Sequence, residues 1–391
     1  MTNLPQGWEV KTLSEIGEII TGSTPSKSNL DFYGKDYPFF KPSDFEQGYF
    51  LENAGDNLSK LGFGKARQLP PKTILVVCIG SLGKVALTRV IGSCNQQINA
   101  IIPHKNIISE YIYYYCISSK FQSILFSKAP QTTLAIFNKT EFSKLEIIYP
   151  KDIKEQERIV GILDFAFSKI DENIKKAKEN LANIDELMQS ALQKAFNPLK
   201  DNAKENYKLP QSWEWKSLEE ISENISAGGD KPKNCTESKT AKNQIPVYAN
   251  GVNNNGLVGY TDKATIIKPS LTISARGTIG FVCIRKEPYF PIVRLISLIP
   301  CENILCLHYL YFCLNFFIAK GEGSSIPQLT IPKFKSLQIP LPPLKEQEQI
   351  AEHLDFVFEK AKALKELYTK ELKDYEELKQ SLLDKAFKGE L

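Results

Sequence analysis

The side chains best suited to chemistry in this chain are hydrogen-bond donors carried on loops, not acids and bases set in pairs. One loop, T-G-S-T-P-S-K-S-N over residues 21–29, carries Thr24, Ser26, Lys27 and Asn29. A second run, S-C-N-Q-Q-I over 93–98, carries Asn95, Gln96 and Gln97 in succession. A side-chain amide donates and accepts at once, so it fits the adjacent acceptor and donor that adenine shows in the major groove. Later in the chain, S-A-G-G-D-K-P-K-N over 226–234 carries Lys231, Lys233 and Asn234. The cluster V-Y-A-N-G-V-N-N-N-G over 247–256 carries Asn253 and Asn254, and Y-F-P-I-V-R-L over 289–295 carries Arg294. Lys84, Arg89 and Arg276 lie in or beside β-branched runs broken by glycine. Donors of this kind suit phosphates and base edges, so the chemistry they offer is recognition of an anionic, base-bearing partner.

Residues for bond-making are missing. A methyltransferase acting on an exocyclic amino group needs N-P-P-Y or D-P-P-F, whereas the proline pairs here read L-P-P-K and L-P-P-L. G-S-L-G-K has the wrong spacing for a phosphate loop. The three histidines, His104, His308 and His353, lie far apart with no H-E-x-x-H, so no metal site is expected. E-x-K occurs at Glu9–Lys11 and Glu214–Lys216, as in nuclease sites, but no upstream aspartate accompanies the first, and both read as structural. The eight cysteines are scattered without a C-x-x-C, as in a cytosolic protein with reduced thiols. No apolar run is long enough to span a membrane, and no export signal opens the chain. The expectation is a non-catalytic, cytoplasmic binding scaffold.

What positions the loops is a tandem duplication. L-P-Q-G-W-E-V-K at 4–11 matches L-P-Q-S-W-E-W-K at 209–216, with short helices expected at 13–16 and 218–221. The runs at 73–90 and 271–286 match as strand pairs around Gly80/Gly83 and Gly277/Gly280. Aromatic helices follow (Y-I-Y-Y-Y-C-I and L-H-Y-L-Y-F-C-L), the first read as core packing rather than a stacking platform for bases, and then last strands L-E-I-I-Y-P and L-Q-I-P-L-P. The halves share a scaffold but differ in the polar residues on their loops, which suits two modules reading different targets.

Each half ends in a long helix, 153–196 and 344–387, offset by 191 positions with no gap. Prolines precede each, none interrupts it, and Gly161 is its only glycine. Ile170, Ile174, Ala177, Leu181, Ile184, Met188, Ala191 and Ala195 form a heptad seam. Ala361, Tyr368, Leu372, Tyr375, Leu382 and Ala386 form a second, interrupted by Lys365 and Lys379. About 43 residues make a rod of ~64 Å. If the intervening globular segment has its ends close together, the second helix starts near where the first finished, and the two pack antiparallel. The net charge is +3 over residues 1–150, +4 over 209–343, zero over 151–208 and −3 over 344–391, so an anionic partner should prefer the globular parts.

The ordered set L-P-x-x-W-E, G-S-T-P-S, S-x-x-G-x-V with C-N-Q-Q-I, and L-K-E-Q-E-x-I…L-D covers essentially the whole chain. In it the chain resembles the DNA-specificity subunit of type I restriction-modification systems. The second half departs from the pattern at S-A-G-G-D-K-P-K-N and at Pro291–Arg294. The resemblance implies an α+β chain, a pseudo-two-fold tandem duplication with two α/β target-recognition domains, 1–150 and 209–343. Two long spacer helices, 151–197 and 344–391, with a linker at 198–208, would form an antiparallel coiled coil. Each domain would read half of a bipartite site in double-stranded DNA, and the helices would set the gap. Two modification subunits would dock on Glu155, Gln156, Arg158, Glu346, Gln347 and Gln349. They would bring S-adenosylmethionine, and translocating endonuclease subunits would bring ATP and Mg, with no cofactor in this chain. Two other classes fit the same residues: a specificity chain of a type IIG or BcgI-like enzyme, and a coiled-coil scaffold that binds no DNA.

Overall fold

The structure, a computed structural model, describes residues 4–128, 136–196, 212–318, 321–322 and 329–391. The expected linker at 198–208, residues 209–211 of the second L-P-x-x-W-E run and parts of the polar loops at 129–135 and 323–328 lie outside these. The chain divides into two compact units, Met1–Ala177 with Thr369–Leu391, and Lys178–Tyr368. Each unit combines one globular segment with parts of both long helices.

In the first unit, Trp8–Thr12 pairs antiparallel with Glu146–Pro150, so the leading strand and the strand before the long helix form one ribbon. Leu13–Ile16 follows as a single helical turn, started by Thr12 N–H donating to Glu15 Oε2 (2.7 Å), and its Leu13 and Ile16 are buried. A five-stranded sheet then runs in the order Gly17–Thr21, Ile98–Pro103, Ile74–Val77, Val85–Thr88, Phe50–Leu51. Ile74–Val77 and Val85–Thr88 are the expected hairpin, turned at Gly80 and Gly83, both with positive φ. The second unit repeats the plan. Glu214–Ser217 pairs with Gln338–Leu341, and a four-stranded sheet runs Ser222–Ala227, Ile296–Pro300, Ser270–Ile273, Val282–Arg285. The matching turn closes through Gly280 N–H to Ser274 O, where the first unit has Gly83 N–H to Val77 O.

Both aromatic helices are core, as expected of the first. In Ser109–Ile117, Tyr111, Tyr114 and Tyr115 are buried, and Tyr111 Oη donates to Ile148 O (3.0 Å) of the ribbon. In Leu307–Phe317, Tyr309 is buried and donates to Pro340 O (2.8 Å). Each aromatic helix is thereby tied to its ribbon. All eight cysteines are free thiols, and burial pushes those of Cys78 and Cys94 up to about 12.

The long helices are Ile153–Phe196 and Leu344–Ala386. Within the first unit, Arg158 reaches Leu391 O and Asp171 pairs with Lys379, so the partner number falls as the helix advances. Ile159 and Leu163 pack with Leu383, Ala386 and Phe387. Within the second unit, Asp185 pairs with Lys365, and Ala195 and Phe196 pack with Ala351 and Leu354. In both units the helix segments are antiparallel. Lys365 and Lys379, which break the second seam, are its cross-helix ion pairs, placed two heptads apart.

Candidate nucleic-acid interface

In the first unit, three segments meet at one end of the five-stranded sheet. Gly22 N–H donates to Ile98 O (2.9 Å) and Ser23 N–H to Cys94 O (2.9 Å), which lays the 22–29 loop along the 94–98 turn. A Cβ at Gly22 would overlap the carbonyls of Cys94 and Asn95, so only glycine allows this approach. Thr24 Oγ1 donates to Gln96 Oε1 (2.5 Å), joining two predicted residues directly. Gln97 Nε2 reaches Ile79 O (3.4 Å), which brings in the Gly80–Gly83 turn. Ser26 and Lys27 are exposed beside them, with Ser26 Oγ 2.7 Å from Ser28 Oγ.

Several predicted readers of this unit do other work. Asn95 is buried: its Oδ1 accepts from Gln97 N–H (3.1 Å) and its Nδ2 donates to Gln97 Oε1 (2.8 Å). It builds the turn and leaves the exposed Gln96 to face outward. Asn29 caps the next turn by accepting from Asp31 N–H (3.0 Å). Arg89 follows Val85–Thr88 and so sits at the opposite end of that strand from Lys84 and the glycine turn. There it pairs with Glu52 (2.9 Å) and stacks on Phe50, 3.7 Å from the ring centroid. Its charge is spent on those partners, and it does not belong to the loop cluster. Lys84 is at the correct end but pairs with Glu46.

Sequence reasoning passed over Arg67, whose Nη1 donates to Thr21 O (2.5 Å) and whose N–H donates to Ser23 Oγ (3.3 Å). Nothing in its surroundings in the sequence marks it, because its contacts are some 45 residues away.

The second unit gathers its loops in the same way. Gly228 N–H donates to Leu295 O (2.8 Å), and Asn250 Nδ2 donates to Val293 O (2.6 Å) while its Oδ1 accepts from Ala275 N–H (2.8 Å). This brings together the loops bearing Lys231 and Lys233, Asn253 and Asn254, Arg276, and Arg294, all exposed. Asn254 has positive φ, as expected of an asparagine-rich turn. Beneath it the buried Arg285 holds the loop by donating to Asn255 O (2.5 Å) and stacking on Tyr248. Asn234, expected to project, instead bonds Asp262 and Thr261. Glu9 is held below the usual carboxylate range by the hydroxyl of Tyr149, then by Lys11 and Lys151, which fits a structural role for E-x-K.

The residues expected to dock partners divide. Gln156 and Gln347, expected on outer faces for partner docking, are instead fully buried. Gln156 Oε1 accepts from Ile108 N–H (3.0 Å), and its Nε2 donates to Asn106 O (3.2 Å) and Pro150 O (2.9 Å). Gln347 Oε1 accepts from Cys306 N–H (2.9 Å), and its Nε2 donates to Ile304 O (2.9 Å) and Pro342 O (2.8 Å). The repeated E-Q is thus a joint, locking each long helix to the start of an aromatic helix and the end of a ribbon. About two turns further on, Asp164 accepts from Tyr114 Oη (2.6 Å), and Asp355 lies 2.6 Å from His308 Nδ1. Glu155 and Arg158 form a two-bond pair (2.7 and 2.8 Å), which holds Glu155 below the usual carboxylate range. Glu346 and Gln349 line an open groove of about 650 Å³ with Leu187, Ile350 and Leu354.

The family model for the type I restriction modification DNA specificity domain matches twice, over residues 5–183 and 210–373. The HindI specificity subunit of Haemophilus influenzae is 39% identical over 176 residues, an alignment spanning 44% of this chain and only 38% of that protein. The MjaIX specificity subunit of Methanocaldococcus jannaschii is 24% identical over 91% of this chain and 88% of its own length. Among solved structures, a chain from a study of complex assembly and conformational transition of the type I R-M system aligns over 100% of both chains, with a TM-score of 0.83 at 20% identity. The HsdS subunit of Thermoanaerobacter tengcongensis aligns over 99% of this chain and 98% of its own, with a TM-score of 0.59 at 20% identity.

Proposed function

The chain belongs to the family of type I restriction-modification DNA specificity domains, and on that premise we propose that it is the non-catalytic specificity chain of such an enzyme. Each unit reads one half of a bipartite site in double-stranded DNA through the loops gathered at one end of its sheet. The long helices set the gap between half-sites. Two modification subunits dock along them, with Glu155, Arg158, Glu346 and Gln349 among the contacts. S-adenosylmethionine, ATP and Mg are held by the partners, including the restriction subunits, and the assembly works in the cytoplasm. Among the described residues no helix is long and apolar enough to cross a membrane.

The observation that carries this reading is the coincidence of two kinds of repetition. The family model falls once on each globular half, and in each half the donors converge on one loop cluster while a buried glutamine locks that half to a long helix. The test is methylome sequencing of cells expressing the complete operon. A bipartite motif with an unspecified gap is expected. Absence of sequence-specific methylation, together with a mobility shift insensitive to salt, would exclude DNA reading, because phosphate binding weakens steeply as salt rises.

A further inference from the structure

The two units build the same turn and give it different tips. In the first unit Asn95 N–H donates to Phe40 O and Ile98 N–H to Asn95 O; in the second, Ile292 N–H donates to Tyr248 O and Leu295 N–H to Ile292 O. The parallel registers Phe40↔Cys94 and Tyr248↔Pro291 fix the correspondence. Gln96 is therefore matched by Val293, and Gln97 by Arg294. The backbones differ at these positions. Neither glutamine has positive φ, whereas Val293 and Arg294 have φ of 53° and 59°. Two successive positive φ values are those of a type I′ turn, which favours Gly, Asn and Asp.

A β-branched residue at positive φ is strained and persists only where its surroundings hold it there. Here they do. Val293 N–H donates to Gly229 O (2.8 Å), Arg294 N–H donates to Gly228 O (2.8 Å), and Asn250 grips Val293 O from the other side (2.6 Å). A Cβ on Gly228 would lie 2.6 Å from Ile292 N, so glycine is needed for the strap to close. The result is a rigid tip with an exposed guanidinium that has no carboxylate partner among the described residues, in contrast to Lys84 and Arg89.

We propose that Arg294 reads a guanine in the half-site bound by the second unit, placing two parallel N–H donors on O6 and N7. This rests on the DNA-reading function proposed above and adds a base to it. A phosphate contact needs only a positive charge and tolerates a mobile side chain. The planar fork of arginine on guanine needs the carrying backbone fixed, which is what the strained and doubly strapped tip provides. The first unit offers the amide of Gln96 at the neighbouring turn position, suited to adenine. Sequence reading at this turn therefore differs between the units by side-chain chemistry on a shared frame.

The test uses the complete enzyme and the motif found by methylome sequencing. One half-site is expected to contain a guanine whose replacement by another base weakens binding by about 5- to 150-fold, the range for one bidentate contact. Replacement by 7-deazaguanine, which removes only the N7 acceptor, should recover part of that loss. Arg294→Ala and Arg294→Lys should both abolish discrimination at that one base pair and leave the other half-site intact, with melting temperatures unchanged. Gln96→Ala should alter the other half-site. Arg294→Ala weakening every duplex equally, Arg294→Lys restoring full discrimination, or a motif unchanged by both would overturn the assignment to guanine. In each of those cases a bipartite motif in the wild type leaves the DNA-reading function standing; a wild type with no such motif brings down both.

Discussion

The buried joint gives the sharpest prediction. Gln347 satisfies one amide and two carbonyls that are otherwise without a strand or helix partner, and it is fully buried. Gln347→Ala removes all three bonds at once. An unsatisfied buried N–H costs about 1–3 kcal/mol, and each carbonyl, which keeps a second lone pair, about 1 kcal/mol. The sum is roughly 3–5 kcal/mol, a large share of the 5–15 kcal/mol that stabilises a typical domain. Gln347→Glu should be at least as damaging, because it keeps the acceptor for Cys306 N–H but points a carboxylate oxygen at two carbonyls. The assay is hydrogen exchange on the full-length chain, followed across residues 304–318, together with urea unfolding. Exchange there is expected to accelerate by roughly 100-fold or more, since 1.4 kcal/mol is tenfold in an opening equilibrium. Both variants lying within ~0.5 kcal/mol of wild type, the usual range for a surface change, would refute the joint and return Gln347 to the outer face.

Three further outcomes follow from the geometry. Deleting one heptad from each long helix at facing positions shortens the rod by ~10 Å, and the methylated motif should lose about 3 base pairs of its gap with half-sites unchanged; altered half-sites would contradict a spacer role. Gln96→Ala should cost ~1–3 kcal/mol at particular base pairs in binding assays, whereas Asn95→Ala, which removes the support of the turn, should weaken binding to all sequences and lower the melting temperature. Lys379→Met should change stability by less than about 1 kcal/mol in a thermal melt, because Asp171 is largely exposed and methionine extends the apolar seam that Lys379 interrupts; a loss above 3 kcal/mol would show that the ion pair is needed for the helix pairing.

Much of this architecture is written locally. The one-turn helices at Leu13–Ile16 and Leu218–Ile221, the hairpins around Gly80/Gly83 and Gly277/Gly280, the buried tyrosine helix and the two long helices all follow from periodicity, turn residues and prolines, which act over a few positions. Antiparallel packing also followed, from the order of the segments and the cost of spanning a rod. What the sequence could not settle was which polar residues face outward, because burial depends on partners far along the chain. Gln156 and Gln347 look like any helix-surface glutamine until backbone groups 41 to 50 residues away close over them. Arg89 has the composition of a loop reader but stands at the far end of its strand from the gathered loops, which only the meeting of the 22–29, 94–98 and Gly80–Gly83 segments reveals. Lys365 and Lys379 read as defects in a heptad and prove to be its ion pairs, with acids 180 and 208 residues away. Local rules determine the elements and their order; the direction and occupancy of each polar side chain were decided by tertiary structure, since hydrogen bonds and desolvation act through space rather than along the chain.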